Sequence, residues 1–94
     1  MLYAAKCYWP GVTLADLEQV ADRATSAGLA SGNNGVSYLG SLLFAADDLV
    51  LCLFCGPSRA AVIQASGQLA IPFERLMDSA WLGPHRRSPE GVQK

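Results

Sequence analysis

Residues Leu49 to Cys55, LVLCLFC, form a run without a single charged or amide side chain. A short apolar run bounded by turn residues reads as a β-strand, and a strand wetted on one face alternates apolar and polar positions. This run does not alternate, so both of its faces require cover. It is preceded by VSYLGSLLF at 36–44 and the linker AADD at 45–48, and it is closed by Gly56-Pro57-Ser58. Two runs of this composition joined by a short polar turn predict a β-hairpin. One face of the hairpin can be covered by helices of the same chain. The other requires a surface that the chain does not obviously supply.

Composition points the same way. The chain has 94 residues, enough for one domain with a modest core. Apolar residues make up 51% and charged residues 16%, against about 45–50% and about 25% in ordinary globular chains. A small domain with surplus apolar surface and few charges predicts a homodimer. The net charge is −1 with Lys and Arg scattered, so no basic stripe is present to neutralise phosphates, and neither nucleic acid nor a membrane is an expected partner. No window approaches the roughly 18 unbroken apolar residues of a membrane span, and no signal-like segment opens the chain. The cysteine count is odd, Cys7, Cys52 and Cys55, which suits reduced thiols and a cytoplasmic location. Cys52 and Cys55 have C-x-x-C spacing, but within a strand residues three apart point to opposite faces, so they are expected as small buried apolar groups and not as a metal or redox pair.

In chain order, LYAAKCYW at 2–9 predicts a first strand with Lys6 and Tyr8 on one face and Tyr3, Ala5, Cys7 and Trp9 on the other; Pro10-Gly11 ends it. Thr13 followed by Asp16 resembles a capping box, and Leu14, Leu17, Val20, Ala21, Ala24 and Gly28 recur at helical spacing. Gly32-Asn33-Asn34-Gly35 predicts a loop and lacks the lysine and following helix of a phosphate-binding loop. Ser58 is placed to cap a second helix with Ala61, Val62, Ala65 and Leu69 on its buried side, and FERLMDSAWL at 73–82 predicts the last strand. From residue 83 to 94 the chain is polar and aperiodic, and a disordered tail is expected after a folded domain of residues 1–82.

Strand, helix, strand, strand, helix, strand with right-handed crossovers gives an α+β, ferredoxin-like βαββαβ domain, a four-stranded antiparallel sheet with two helices on one face. Two such sheets facing each other would form a dimeric α+β barrel-like assembly around a cleft. If Phe44 pairs with Leu49, the helix side receives Leu39, Leu43, Val50, Cys52 and Phe54. The open side then presents Lys6, Tyr8, Tyr38, Leu51, Leu53 and Cys55, with Gly40 leaving room between them. Leu51 and Leu53 are the expected dimer-interface residues. Lys6, Tyr8, Tyr38, Cys55 and Asp78 are the candidate cleft residues for a small apolar or aromatic ligand.

The Pro10-Gly11 turn, the Y-L-x-S run at Tyr38–Ser41, C-L-F-x-x-P-S at Cys52–Ser58 and I-P-F-E-R at Ile71–Arg75 together resemble a family of small bacterial, mainly actinobacterial, ferredoxin-like dimers of mostly unknown function. Its named representative is a nickel-binding protein, so the resemblance implies nickel as a possible cofactor. The ligands it implies are acidic residues on the first strand and histidines in the second strand and second helix. Those positions here hold Lys6 and Tyr8, Gly40, and Ala65, and the third strand ends in Cys55 where relatives carry Glu. Among these, Gly and Ala have no donor side chain, and Lys and Tyr are not usual nickel ligands. The metal site is therefore expected to be altered or lost.

His85, the sole histidine, lies in the tail beside Arg86 and Arg87, and no G-x-S-x-G or H-E-x-x-H run occurs, so no catalytic residue is assigned. Three functions remain open from the sequence: a non-enzymatic dimeric binding protein, an isomerase, cyclase or monooxygenase-type enzyme using the cleft, and a pure dimerisation module.

Overall fold

A computed structural model describes residues 1–29 and 35–84. The chain runs β1 (Leu2–Tyr8), α1 (Leu14–Ser26), β2 (Ser37–Phe44), β3 (Leu49–Cys55), α2 (Arg59–Ser66) and β4 (Phe73–Ser79). The strands form one antiparallel sheet in the order β2-β3-β1-β4. The expected tail from residue 85 onward, with His85, and residues Gly32 to Asn34 of the expected loop lie outside the described residues.

Local chemistry explains each boundary. Trp9 leaves the sheet because Pro10 and Gly11 follow; the Gly11 backbone sits at φ 74° and its N–H donates to Asp48 Oδ1 at 3.1 Å. The Trp9 N–H donates to the Asp48 carbonyl at 2.7 Å, so one residue ties the β1–α1 turn to the hairpin. Asp48 itself adopts φ 51°, a left-handed conformation that a short acid tolerates better than most side chains. The capping box is formed: Asp16 N–H donates to Thr13 Oγ1 at 3.2 Å and Thr13 N–H donates to Asp16 Oδ2 at 2.8 Å. Ser58 caps α2 by accepting from the Ala61 N–H at 3.2 Å.

Both helices lie on one face of the sheet. Leu17, Val20 and Ala24 of α1 and Val62 and Ala65 of α2 are buried against Tyr3, Ala5 and Cys7 of β1, Val50, Cys52 and Phe54 of β3, and Leu76 of β4. Leu14 and Ala21, expected in the buried stripe, face outward. The last strand ends at Ser79 and not at Leu82, which leaves Trp81 and Leu82 exposed beyond the sheet.

Gly56, at the end of β3, shows how closely α2 approaches. A Cβ there would lie 2.7 Å from Val62 Cγ2 and 3.3 Å from Val36 Cγ2. Gly56→Ala is expected to destabilise the fold by about 1–3 kcal/mol, because an overpacked junction must shift its helix or its strand. Urea unfolding would read this as a lower midpoint at unchanged slope; an unchanged midpoint would show that Val62 rotates away without cost.

Candidate functional site

The register assigns every strand residue to a face. Lys6 opposes Leu51 and Arg75, Ala4 opposes Leu53 and Met77, and Tyr8 opposes Leu49. Gly40 opposes Leu53 and Leu42 opposes Leu51. These residues share the face opposite the helices, since directly paired residues of antiparallel strands point the same way. Lys6, Tyr8, Leu51, Leu53 and Cys55 thus share the open face as expected, with Tyr8 beside Leu49 at one end and Cys55 beside Leu2 at the other. Cys52 is buried on the helix side as expected, whereas Cys55, expected to be buried, is exposed at the end of the strand, so the C-x-x-C pair diverges.

Two expected cleft residues are elsewhere. Tyr38 pairs with Phe54 and Gly40 with Leu53, so Leu39 is an extra residue opposite no partner. A β-bulge of this kind reverses the face of everything before it. Tyr38 therefore turns to the helix side, where its ring meets Phe54 at 5.7 Å between centroids. Leu39, expected in the core, is 56% exposed. Gly40 carries the distortion at φ 137°, a conformation glycine adopts far more readily than other residues. Asp78 is also displaced: it opposes Tyr3 on the helix side of the edge strand, and Arg59 Nη1 of α2 donates to its Oδ1 at 2.8 Å. Arg59 Nη2 donates to the Leu76 carbonyl at the same distance, so this arginine staples α2 to β4.

The acid beside Lys6 is instead Glu74, whose Oε1 lies 3.8 Å from Lys6 Nζ. Glu74 occupies a second irregularity, where the β1–β4 register shifts between Lys6 and Cys7. The pair is half exposed and contributes little stability, but it leaves Lys6 neutralised at the border of an apolar face. The centre of that face is Ala4, Leu42, Leu51, Leu53 and Met77.

A polar thread on the helix side was missed by sequence reasoning. Tyr38 OH lies 2.6 Å from Ser41 Oγ, and Ser41 Oγ donates to Cys52 Sγ at 3.3 Å. Cys7 Sγ donates to the Ala5 carbonyl at 3.7 Å, and the interaction between the two buried thiols, opposed by burial and aided by Ser41, lowers Cys52 relative to Cys7. Cys7 is pushed up by its interaction with Cys52 and by its burial. Burial likewise raises the Tyr38 phenol. The available signal was Gly40: a glycine inside a strand marks a bulge, and the bulge is what brings Tyr38 over Ser41.

Nickel does not fit the positions that the family resemblance implies. Lys6 is paired to Glu74, Tyr8 is an exposed phenol, Gly40 offers only backbone at a bulge, and Ala65 is a buried methyl on the inner side of α2. Among the described residues, no group of three or more His, Cys, Asp or Glu side chains could hold a metal ion, and no helix is long and apolar enough to cross a membrane.

Sheet order, antiparallel pairing and helices confined to one face define the ferredoxin-like α+β class. The crystal structure of SCO4226 from Streptomyces coelicolor A3(2) has the same fold, with a TM-score of 0.71 over 88% of this chain and 100% of that one, at 17% sequence identity. At that identity the likeness concerns the fold alone. No protein-family model matches the sequence, and no curated protein matches it.

Proposed function

We propose that this chain is a small, non-enzymatic homodimeric binding module whose open sheet face packs against the same face of a second copy. The observation that carries this reading is the unbroken apolar centre of that face, Ala4, Leu42, Leu51, Leu53 and Met77, which no element among the described residues covers. Leu42 remains 49% exposed and Phe44 41% exposed, an arrangement that ordinary solvated sheets avoid by alternation. The area is sufficient. Four strands about 4.8 Å apart and seven residues rising about 3.4 Å each make a face of roughly 19 by 24 Å. With side-chain relief, two copies bury on the order of 1,000 Å², the lower bound for a specific interface. Lys6, paired with Glu74, and the exposed Arg75 opposite it stand at the border of this apolar centre.

The binding reading is favoured over the enzymatic one because the expected Lys6–Asp78 pair does not converge, Lys6 lying on the open face and Asp78 on the other, and the acid that does meet Lys6, Glu74, holds it in an exposed ion pair. The cleft residues that remain are Lys6, Tyr8 and Cys55. Nickel is not part of the proposal, since the positions expected to ligate it carry no suitable donors.

Native mass spectrometry of the whole chain, before and after nickel is supplied, tests the reading directly. The expected result is a dimer at micromolar concentration that takes up no stoichiometric nickel. A monomer at every concentration would overturn the interface, and a stoichiometric nickel adduct would overturn the loss of the metal site.

A further inference from the structure

A groove of about 330 Å³ separates α1 from the outer strand β2, with Leu14, Leu17 and Ala21 as its wall, Tyr38 and Ser41 on its strand side, and Glu18 along it. It opens on the helix side, away from the proposed dimer face, and does not depend on it. Its size is at the lower end of small-ligand sites. The bulge at Leu39–Gly40 shapes it by turning Tyr38 to the helix side, and the Gly40 backbone lines it. Bulges of this sort re-aim side chains next to binding sites.

The polar groups on this groove share one sign. Ser41 Oγ donates to Cys52 Sγ and lies 2.6 Å from Tyr38 Oη, where either oxygen can supply the hydrogen; burial raises the Tyr38 phenol. With either donor, Tyr38 Oη keeps a lone pair able to accept. Glu18 forms no ion pair or hydrogen bond among the described residues. A ligand for this groove must therefore bring donors, and a positive charge suits it best. Leu14, 68% exposed although it lies on the helix that packs the core, supplies a hydrocarbon wall beside them, and a cation near the Tyr38 ring gains from its negative face.

We propose that the α1–β2 groove binds small hydrophobic amines, with the ammonium taken by Glu18 and Tyr38 Oη and the hydrocarbon against Leu14 and Leu17. The test is a titration of isotope-labelled full chain with phenethylamine, followed by backbone amide shifts, with 3-phenylpropionate as the matched anion. The amine is expected to move residues 14–21 and 38–41 and to saturate in the millimolar range, while the acid leaves them in place. Glu18→Gln, an exposed change that does not touch the core, is expected to weaken the amine about tenfold, as loss of a charge-assisted contact does. Tyr38→Phe keeps the ring and removes the oxygen, and a smaller loss is expected. The proposal is overturned if no shifts appear, if they fall on the open face, if acid and amine bind alike, or if Glu18→Gln binds the amine as the unaltered chain does.

Discussion

Leu53→Glu is expected to leave the chain monomeric at concentrations where the unaltered protein is dimeric, with its fold intact. Leu53 sits between Ala4 of β1 and Gly40 of β2, near the middle of the open face. A two-fold interface repeats every substitution, so one mutation introduces two carboxylates into one buried layer. Each buried, unpaired charge costs about 3–5 kcal/mol, and every 1.4 kcal/mol is about tenfold in affinity. A weakening of at least about a thousandfold follows. In the separated monomer the same side chain is only half buried and can turn its carboxylate to water, which is why folding survives. Sedimentation velocity and far-ultraviolet circular dichroism read the two consequences separately. A Leu53→Glu chain that stays dimeric would place the interface elsewhere, and Leu51→Glu, one pair further along the same face, gives an independent check.

Phe54→Ala is expected to be the most damaging single truncation in the monomer. Phe54 is the largest fully buried side chain, packed between Tyr3 and Tyr38 on the helix side of β3. Removing a buried phenyl costs about 3–5 kcal/mol. A domain of this length holds in total roughly 5–14 kcal/mol. With each kcal/mol worth about 4–8 °C in a domain of this size, the melting temperature should fall by about 12 °C or more. Leu53→Ala, one residue away on the half-buried open face, should cost the isolated monomer much less. Thermal and urea unfolding at low protein concentration compare them; equal losses would show that the open face is packed within the monomer after all.

These neighbouring residues also show how far the sequence could be read. The apolar run at Leu49–Cys55, the Thr13–Asp16 box, Ser58 and the Pro10-Gly11 turn each act through contacts a few residues long. They fix where elements begin, and periodicity then fixes which residues of β1 and β3 face the helices. The ferredoxin-like order followed from that. What could not be read was the effect of one inserted residue. Period-two alternation placed Tyr38 with Leu51, Leu53 and Cys55, and the bulge at Leu39 turned it over to Phe54 and Ser41. Asp78 was placed in the cleft without a register for β4, and the pairing Tyr3–Asp78 put it beside Arg59 instead.

By itself, then, the sequence determined the elements, their order, the core of β1 and β3 and the existence of a second apolar sheet face, because local hydrogen bonding and side-chain alternation are written residue by residue. Only the tertiary structure decided which polar groups meet. Lys6 finds Glu74, Asp78 finds Arg59, and Tyr38 finds Ser41. Each partnership depends on strand register or on a bulge, and a shift of one residue changes the face of a side chain without changing its composition or spacing.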